Sequence, residues 1–471
     1  MNSLTSWLHR PFMPLDRRKD AKLPYIGRLS TDTGSITIQW CDHGSDGPHT
    51  LICQKVDADV PDVALPVSDA SITVEGLSDL TDYNVTLARD DGTGAVTRRV
   101  RTGHIPGNTV VNYLHPQDPA FSFSGRFLGT PTLARCPSGR LVASMDVFWR
   151  HEYYAMLSPL FCSDDGGSSW RWLGELAPSY WPKLFVHRGV LYGLSATQGG
   201  GCLVIARSED EGETWSAPVL LFATNSWYSV EGNCGNITEK NGRLYIPIAC
   251  GSWNTATFRM SYISAPADSD LLDPAQWTIA DLLEYDPAWP GSPAEVGPGC
   301  GSPGAGIEGN IIEGPDGTLH ACYRMDIEAA GKPNYGKMLL LDIDTTNPEA
   351  PYRFNAIVEC TLGSNAKFCL NYDPVSRYYV LLGNEQIPGV CPKRTVLSMA
   401  VSEDLHNWRV VHRIFDFRNH DPKACGFQYP DWVFDGDDIV TLTRVGYNMA
   451  DTHHNSNCIT FTRIRNFRQY F

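Results

Sequence analysis

The chain has 471 residues, with 38 basic against 53 acidic side chains, a formal net charge of −15 and a hydrophobic content of 42%. That balance describes a globular protein long enough for more than one domain. It excludes a nucleic-acid partner, which requires a basic face, but leaves room for a local basic pocket that takes an anionic substrate.

Residues 1–22 read as an N-terminal extension. The opening MNSLTSWLHRPFMPLDRRKDAKL lacks the long apolar core of a signal peptide and turns charged early. As written, the chain is expected in the cytoplasm, with secretion open if the N-terminus is trimmed. No run approaches the length of a membrane helix, so no membrane partner is expected. The 14 cysteines include no CxxC pair and no Cys/His cluster at zinc spacing, so neither a metal nor another cofactor is implied. Several (Cys53, Cys202, Cys250, Cys322, Cys369) sit inside apolar strand-like runs, which suits buried thiols better than a disulfide framework.

Residues 23–104 read as a β-sandwich. Alternating runs SITIQW, HTLICQKV, SITVEGL, YNVTLAR and VTRRVRT are broken by turn residues at short intervals. GLSDLTDYNVTL resembles the tyrosine-corner region of a fibronectin type III domain, with Leu80, Thr81 and Tyr83 at the corner positions, although the usual proline is missing. HIPGN at 104–108 reads as a linker.

From 108 to 471 the sequence is short strands and turns with a weak helical pattern. Two octets, SDDGGSSW at 163–170 and SEDEGETW at 208–215, fit one pattern, Ser-x-Asp-x-Gly-x-(Ser/Thr)-Trp, and a degenerate copy, SEDLHNW, lies at 402–408. Each follows an apolar run. Asp and Ser/Thr bond to nearby backbone N–H groups, Gly takes positive φ, and Trp pins the turn by packing its ring. Repeated turns of this kind announce repeated four-stranded units, and six units of about 60 residues fill the segment. The expected class is therefore all-β, a sandwich followed by a six-bladed propeller.

This segment resembles the sialidase superfamily, whose six-bladed propellers carry such Asp-box turns, and the resemblance extends beyond the boxes. GTPTLARCPSGRLVASMD at 129–146 is similar to that family's opening strand pair, and GIEGNIIEGPDGTLHACYR at 306–324 to its segment carrying a glutamate and then an arginine. CPKRTVLSMAVSEDLHNW places Arg394 where the family keeps another arginine, and GFQYPDWVFDGDDIVTLTR resembles the late strand carrying its catalytic tyrosine. The resemblance implies Tyr429 as nucleophile, Glu308 as its base, and Arg324 and Arg394 as a carboxylate clamp. The chemistry is coherent: a tyrosine stays neutral until a base takes its proton, so it avoids repelling a sugar carboxylate, and guanidinium forks match carboxylates.

Two departures redirect the reading. Gly129 stands where the family places its first clamp arginine, with Arg126 three residues upstream as a substitute. The family's acid should fall in FWRHEYY, which offers His151 and Glu152 but no aspartate; Asp146 lies just before it. The expected acid is therefore Asp146 or Glu152. The expected substrate is an acidic sugar other than sialic acid, either another 2-keto sugar acid or a uronate-containing glycan. Further substrate contacts are expected from Trp227 and Glu231 in SWYSVEGNCGN, from Arg444, and from His151 and His454; the last lies in NMADTHHNSN, otherwise a polar turn.

The function these residues imply is an exo-acting, retaining glycoside hydrolase at a glycan terminus. Two alternatives stand beside it. A polysaccharide lyase would use His151, Tyr153 or Tyr429 as base, with arginines neutralising a uronate. A carbohydrate-binding propeller without catalysis is the reading that the missing first arginine argues for, because fold alone licenses no activity.

Overall fold

A chain of short, alternating apolar runs has to bury one face of each strand, and pairing those strands into sheets satisfies their backbone groups at the same time. The computed structural model describes residues 23–118, 126–148, 157–199, 201–223, 229–231, 235–252, 257–293, 306–325, 328–329, 332–333, 336–364, 366–387 and 394–471. Among these the only helical elements are two 3-10 turns, Pro274–Gln276 and Phe467–Tyr470; the regular structure is otherwise antiparallel strand.

The first seven strands make two sheets. Tyr25–Asp32, Ser35–Cys41 and Ser71–Val74 form one, and Val63–Val67, His49–Lys55, Asp82–Arg89 and Ala95–Arg101 form the other. Ile36, Ile38 and Trp40 from the first meet Leu51, Cys53, Tyr83, Val85, Leu87 and Val100 from the second in one apolar core. The Tyr83 hydroxyl accepts a hydrogen bond from the Ser78 amide at 2.9 Å, which ties the turn at Leu80 to the following strand.

Six further sheets of four or five strands follow as antiparallel meanders, each in contact with the next, beside two small two-stranded sheets. The innermost strands are Thr132–Arg135, Tyr180–His187, the split pair Ser229–Glu231 and Thr238–Lys240, Ile307–Glu313, Cys369–Asp373 and Gly426–Asp435. Thr132–Arg135 contacts both Tyr180–His187 and Gly426–Asp435, so the ring closes. The sixth blade completes itself with Thr109–Tyr113, the strand leaving the sandwich, paired to Cys458–Ile464. Joining first and last segments in one sheet leaves no open edge at the closure.

The octets connect the third and fourth strands of blades one, two and five. In the first, Asp165 accepts from Ser163 Oγ at 2.8 Å and from the Ser169 amide at 2.9 Å, and the Gly167 amide reaches Ser163 Oγ at 2.8 Å. Asp210 repeats the pattern with Ser208 and Thr214, both at 2.8 Å. In the degenerate copy Asp404 accepts from Ser402 and the Asn407 amide, while Leu405 takes the positive φ of 66° that Gly166 holds at 70° in the first.

At the axis, side chains bridge blades that no ladder joins. The Leu133 amide donates to Asp431 and the Leu184 amide to Thr132, each at 2.9 Å; the Leu370 and Asn236 amides both donate to Asn310 at 3.0 Å. Lys183 Nζ lies 2.8 Å from buried Asp431. Nine of the described cysteines, Cys53, Cys322 and Cys369 among them, are free thiols, as their apolar surroundings lead one to expect.

Sandwich and propeller share apolar packing. The core that holds Trp40 and Tyr83 runs on to Val110, Phe415, Phe427 and Val445. Buried Arg28 donates to the Val110 and Val111 carbonyls at 2.9 and 2.7 Å, and Arg98 pairs with Asp118 at 2.6 Å with both side chains out of solvent.

Candidate active site

Two bulges present the central residues. In blade four the register runs Ile307↔Arg324 and resumes at Asn310↔Cys322, and in blade six it runs Gln428↔Arg444 and resumes at Asp431↔Leu442. Glu308 (φ 58°) and Tyr429 (φ 56°) are the left-handed residues of these bulges. A bulge re-aims a side chain, and positive φ costs a non-glycine residue roughly 1–2 kcal/mol. Blade two carries a third such bulge, at Trp181 (φ 51°) between Tyr180↔Ala196 and Lys183↔Leu194, so three blades hold left-handed residues at matching places, and two of these are the glutamate and the tyrosine.

Arg324 ends the strand Leu319–Arg324 and joins them. Its Nη1 donates to Glu308 Oε2 at 2.8 Å and to the Tyr429 hydroxyl at 3.3 Å, and its Nε donates to the Ser364 carbonyl at 3.2 Å. Arg324, Glu308 and Tyr429 are all buried, at 3%, 5% and 7% exposure, so the pair and the phenol act on each other through little water. Burial first, and then the Glu308 charge, push the Tyr429 hydroxyl up to about 12, with the three nearby arginines pulling the other way. The phenol is therefore protonated at neutral pH.

Two more guanidinium groups lie over the Tyr429 ring. Arg394 Cζ is 5.4 Å from its centroid and Arg444 Cζ 5.2 Å, within cation–π range. The Arg394 carbonyl accepts the Phe427 amide at 2.7 Å, and its Nη1 donates to Gln428 Oε1. Arg444 also covers Phe148 at 4.8 Å and donates through Nη2 to the His454 carbonyl; its buried Nε has no hydrogen-bond partner among the described residues. His454 packs edge-on against Phe148, and burial first, then the Arg444 charge, hold its imidazole well below its usual range, so it is neutral.

The structure thus brings together Tyr429, Glu308, Arg324, Arg394, Arg444 and His454. Asp146 is fully buried close to Gly129: its Oδ1 accepts the Thr130 amide and its carbonyl the Gly129 amide, both at 2.7 Å. A Cβ on residue 129 would come within 1.9 Å of Asp146 Oδ2. A carboxylate therefore fills the space beside 129, which accounts for a glycine where the resemblance placed an arginine. Arg126 is joined to the Phe148 carbonyl by its amide at 2.9 Å. His151, Glu152, Tyr153 and Trp227 lie outside the described residues, and Glu231 is described by its backbone alone.

Gln428 escaped the sequence reading. It is wholly buried, accepts from Arg394, and donates to the His453 carbonyl and to Ser456 Oγ, the latter at 3.2 Å. Its place directly before Tyr429 was the one available signal, and strand alternation would have turned it away from the tyrosine had the bulge not intervened.

Neither a family model nor a curated protein matches the chain. Solved structures do. A Hadza microbial sialidase is 13% identical over 95% of this chain and 96% of its own, with a TM-score of 0.52. A Trypanosoma rangeli sialidase in complex with 2,3-difluorosialic acid, a covalent intermediate, is 13% identical over 81% and 57%, with a TM-score of 0.50. A Penicillium chrysogenum alpha-L-arabinanase complexed with arabinobiose is 13% identical over 76% and 97%, with a TM-score of 0.49. At such identities the likeness is one of fold. The fold is a β-propeller like that of the Hadza microbial sialidase, here preceded by a two-sheet sandwich.

Proposed function

We propose that this protein is an exo-acting glycoside hydrolase that removes an acidic sugar from a glycan terminus with retention, through a tyrosyl intermediate. The observation that carries the reading is one buried guanidinium, Arg324, bonded at once to Glu308 and to the Tyr429 hydroxyl, with Arg394 and Arg444 beside the same ring. A phenol so raised in basicity reacts only when a base takes its proton, and Glu308 is the carboxylate whose charge bears on it.

In the first step Tyr429 Oη bonds to the anomeric carbon while its proton passes to Glu308. The glycosidic bond breaks, and the leaving oxygen takes a proton from Asp146 or Glu152. In the second step water, deprotonated by the conjugate base of that acid, attacks the anomeric carbon, and Tyr429 leaves and recovers its proton from Glu308. The substrate carboxylate sits among Arg324, Arg394 and Arg444. Arg444, buried and without an acidic partner among the described residues, offers the third cation that position 129 does not supply. Asp146 fills the space beside Gly129, where the resemblance places a clamp arginine, so the proposed substrate is an acidic sugar other than sialic acid, another 2-keto sugar acid or a uronate-containing glycan. No cofactor enters the reaction. The N-terminal sandwich is proposed to be fibronectin type III-like.

Rapid quenching of turnover, followed by peptide mass spectrometry, tests the intermediate. The expected result is a glycosyl adduct on the peptide bearing Tyr429, absent from Tyr429→Phe. Inversion of anomeric configuration in the product, followed by NMR, would sink the tyrosyl mechanism.

A further inference from the structure

The loop from Tyr447 to Asn457 is closed at its base by one side chain: Asn457 accepts the Tyr447 amide at 3.2 Å and donates to its carbonyl at 2.8 Å. Inside the loop, the His453 carbonyl accepts from Gln428 and the His454 carbonyl from Arg444. These two bonds fix the residue preceding Tyr429 and the arginine that covers its ring.

The same loop is held from the opposite side by the sandwich. Asn448 Nδ2 donates to the Thr102 carbonyl at 3.1 Å, and Arg101 Nε donates to Asn448 Oδ1 at 3.1 Å. Arg101 is itself anchored to Asp82 at 3.0 Å. The contact is close by construction: a Cβ on Gly103 would meet Asn448 Nδ2 at 2.5 Å, so the sandwich presents bare backbone there. Asn448 and Met449 both carry positive φ, 48° and 72°, a conformation that the tether has to hold against its cost.

We infer that the sandwich acts in catalysis as a positioning domain, and that Asn448 is the residue through which its Arg101–Gly103 edge sets Arg444 and Gln428 around Tyr429. The kinetic part of this inference rests on the proposed hydrolase reading. Asn448 touches neither phenol nor substrate, and the route runs from Arg101 and Thr102 to Asn448, along the loop to the His454 carbonyl, and on to Arg444.

Asn448→Gly removes both side-chain bonds and suits the positive φ, so the backbone is not strained by the change. In the full-length protein, amide hydrogen exchange over 444–457 should speed up in Asn448→Gly, and less so in Arg101→Met, with blade two unchanged. Turnover of an acidic glycan should fall about tenfold in kcat/KM, carried mainly by KM because a carboxylate clamp is loosened. In an Arg444→Met background the same substitution should cost almost nothing further. Unchanged exchange over 444–457, or an equal kinetic loss in both backgrounds, would overturn the inference. A wild type without turnover would overturn the hydrolase reading instead, and the exchange result would still decide the tether.

Discussion

Gly129→Ala is the smallest change with a large calculable effect. The added Cβ would stand 1.9 Å from Asp146 Oδ2 and 2.5 Å from its Cγ, more than an ångström inside normal contact. Asp146 cannot swing aside freely, since it is buried and its Oδ1 accepts the Thr130 amide at 2.7 Å. Rotating the carboxyl away leaves the buried Thr130 amide unsatisfied at about 1–3 kcal/mol, and crowding a packed site adds about 1–3 kcal/mol. The sum is a destabilisation of about 2–6 kcal/mol, read as a lower urea midpoint at constant slope. Asp146→Ala removes the obstacle, so Gly129→Ala should cost less than about 1 kcal/mol in that background. A loss below about 1 kcal/mol for Gly129→Ala alone, or strict additivity with Asp146→Ala, would refute the steric account of position 129.

Glu308→Gln should destabilise the fold by about 3–5 kcal/mol, because it strips the counter-charge from a buried arginine, while Arg324→Met with Glu308→Gln should be milder than either change alone; chemical denaturation of the three variants checks this. Tyr429 titrates higher folded than unfolded, so its contribution is complete below pH 10 and is lost as pH rises from 10 towards about 12, a loss of about 3 kcal/mol that Tyr429→Phe should avoid in parallel alkaline melts. His454 titrates lower folded than unfolded, so its contribution is present above pH 6.5 and lost as pH falls below it; His454→Gln should flatten the fall in melting temperature between pH 6.5 and 5.

The architecture was legible because the octets are local. Asp165, Asp210 and Asp404 make their bonds within five residues, so their composition alone specifies the turn. The site was legible in residues and not in geometry. Glu308 and Tyr429 could be named, but nothing in a glutamate or a tyrosine announces positive φ, a conformation that sequence reading reserves for glycine. Arg444 and Gln428 face each other across one ladder, a register fixed by a bulge that neighbouring residues do not spell out. The carboxylate beside Gly129 comes from seventeen residues along the chain, and the sandwich reaches Asn448 from 346 residues away. Contacts of that separation depend on the closed ring, and no short motif encodes them.

The most direct test is mass analysis of the products released from a panel of acidic glycans, sialosides and uronate polymers among them, by wild type and Tyr429→Phe in parallel. The account predicts a hydrated acidic monosaccharide from wild type and none from the variant. A product lighter by one water, or equal release by both proteins, would contradict it.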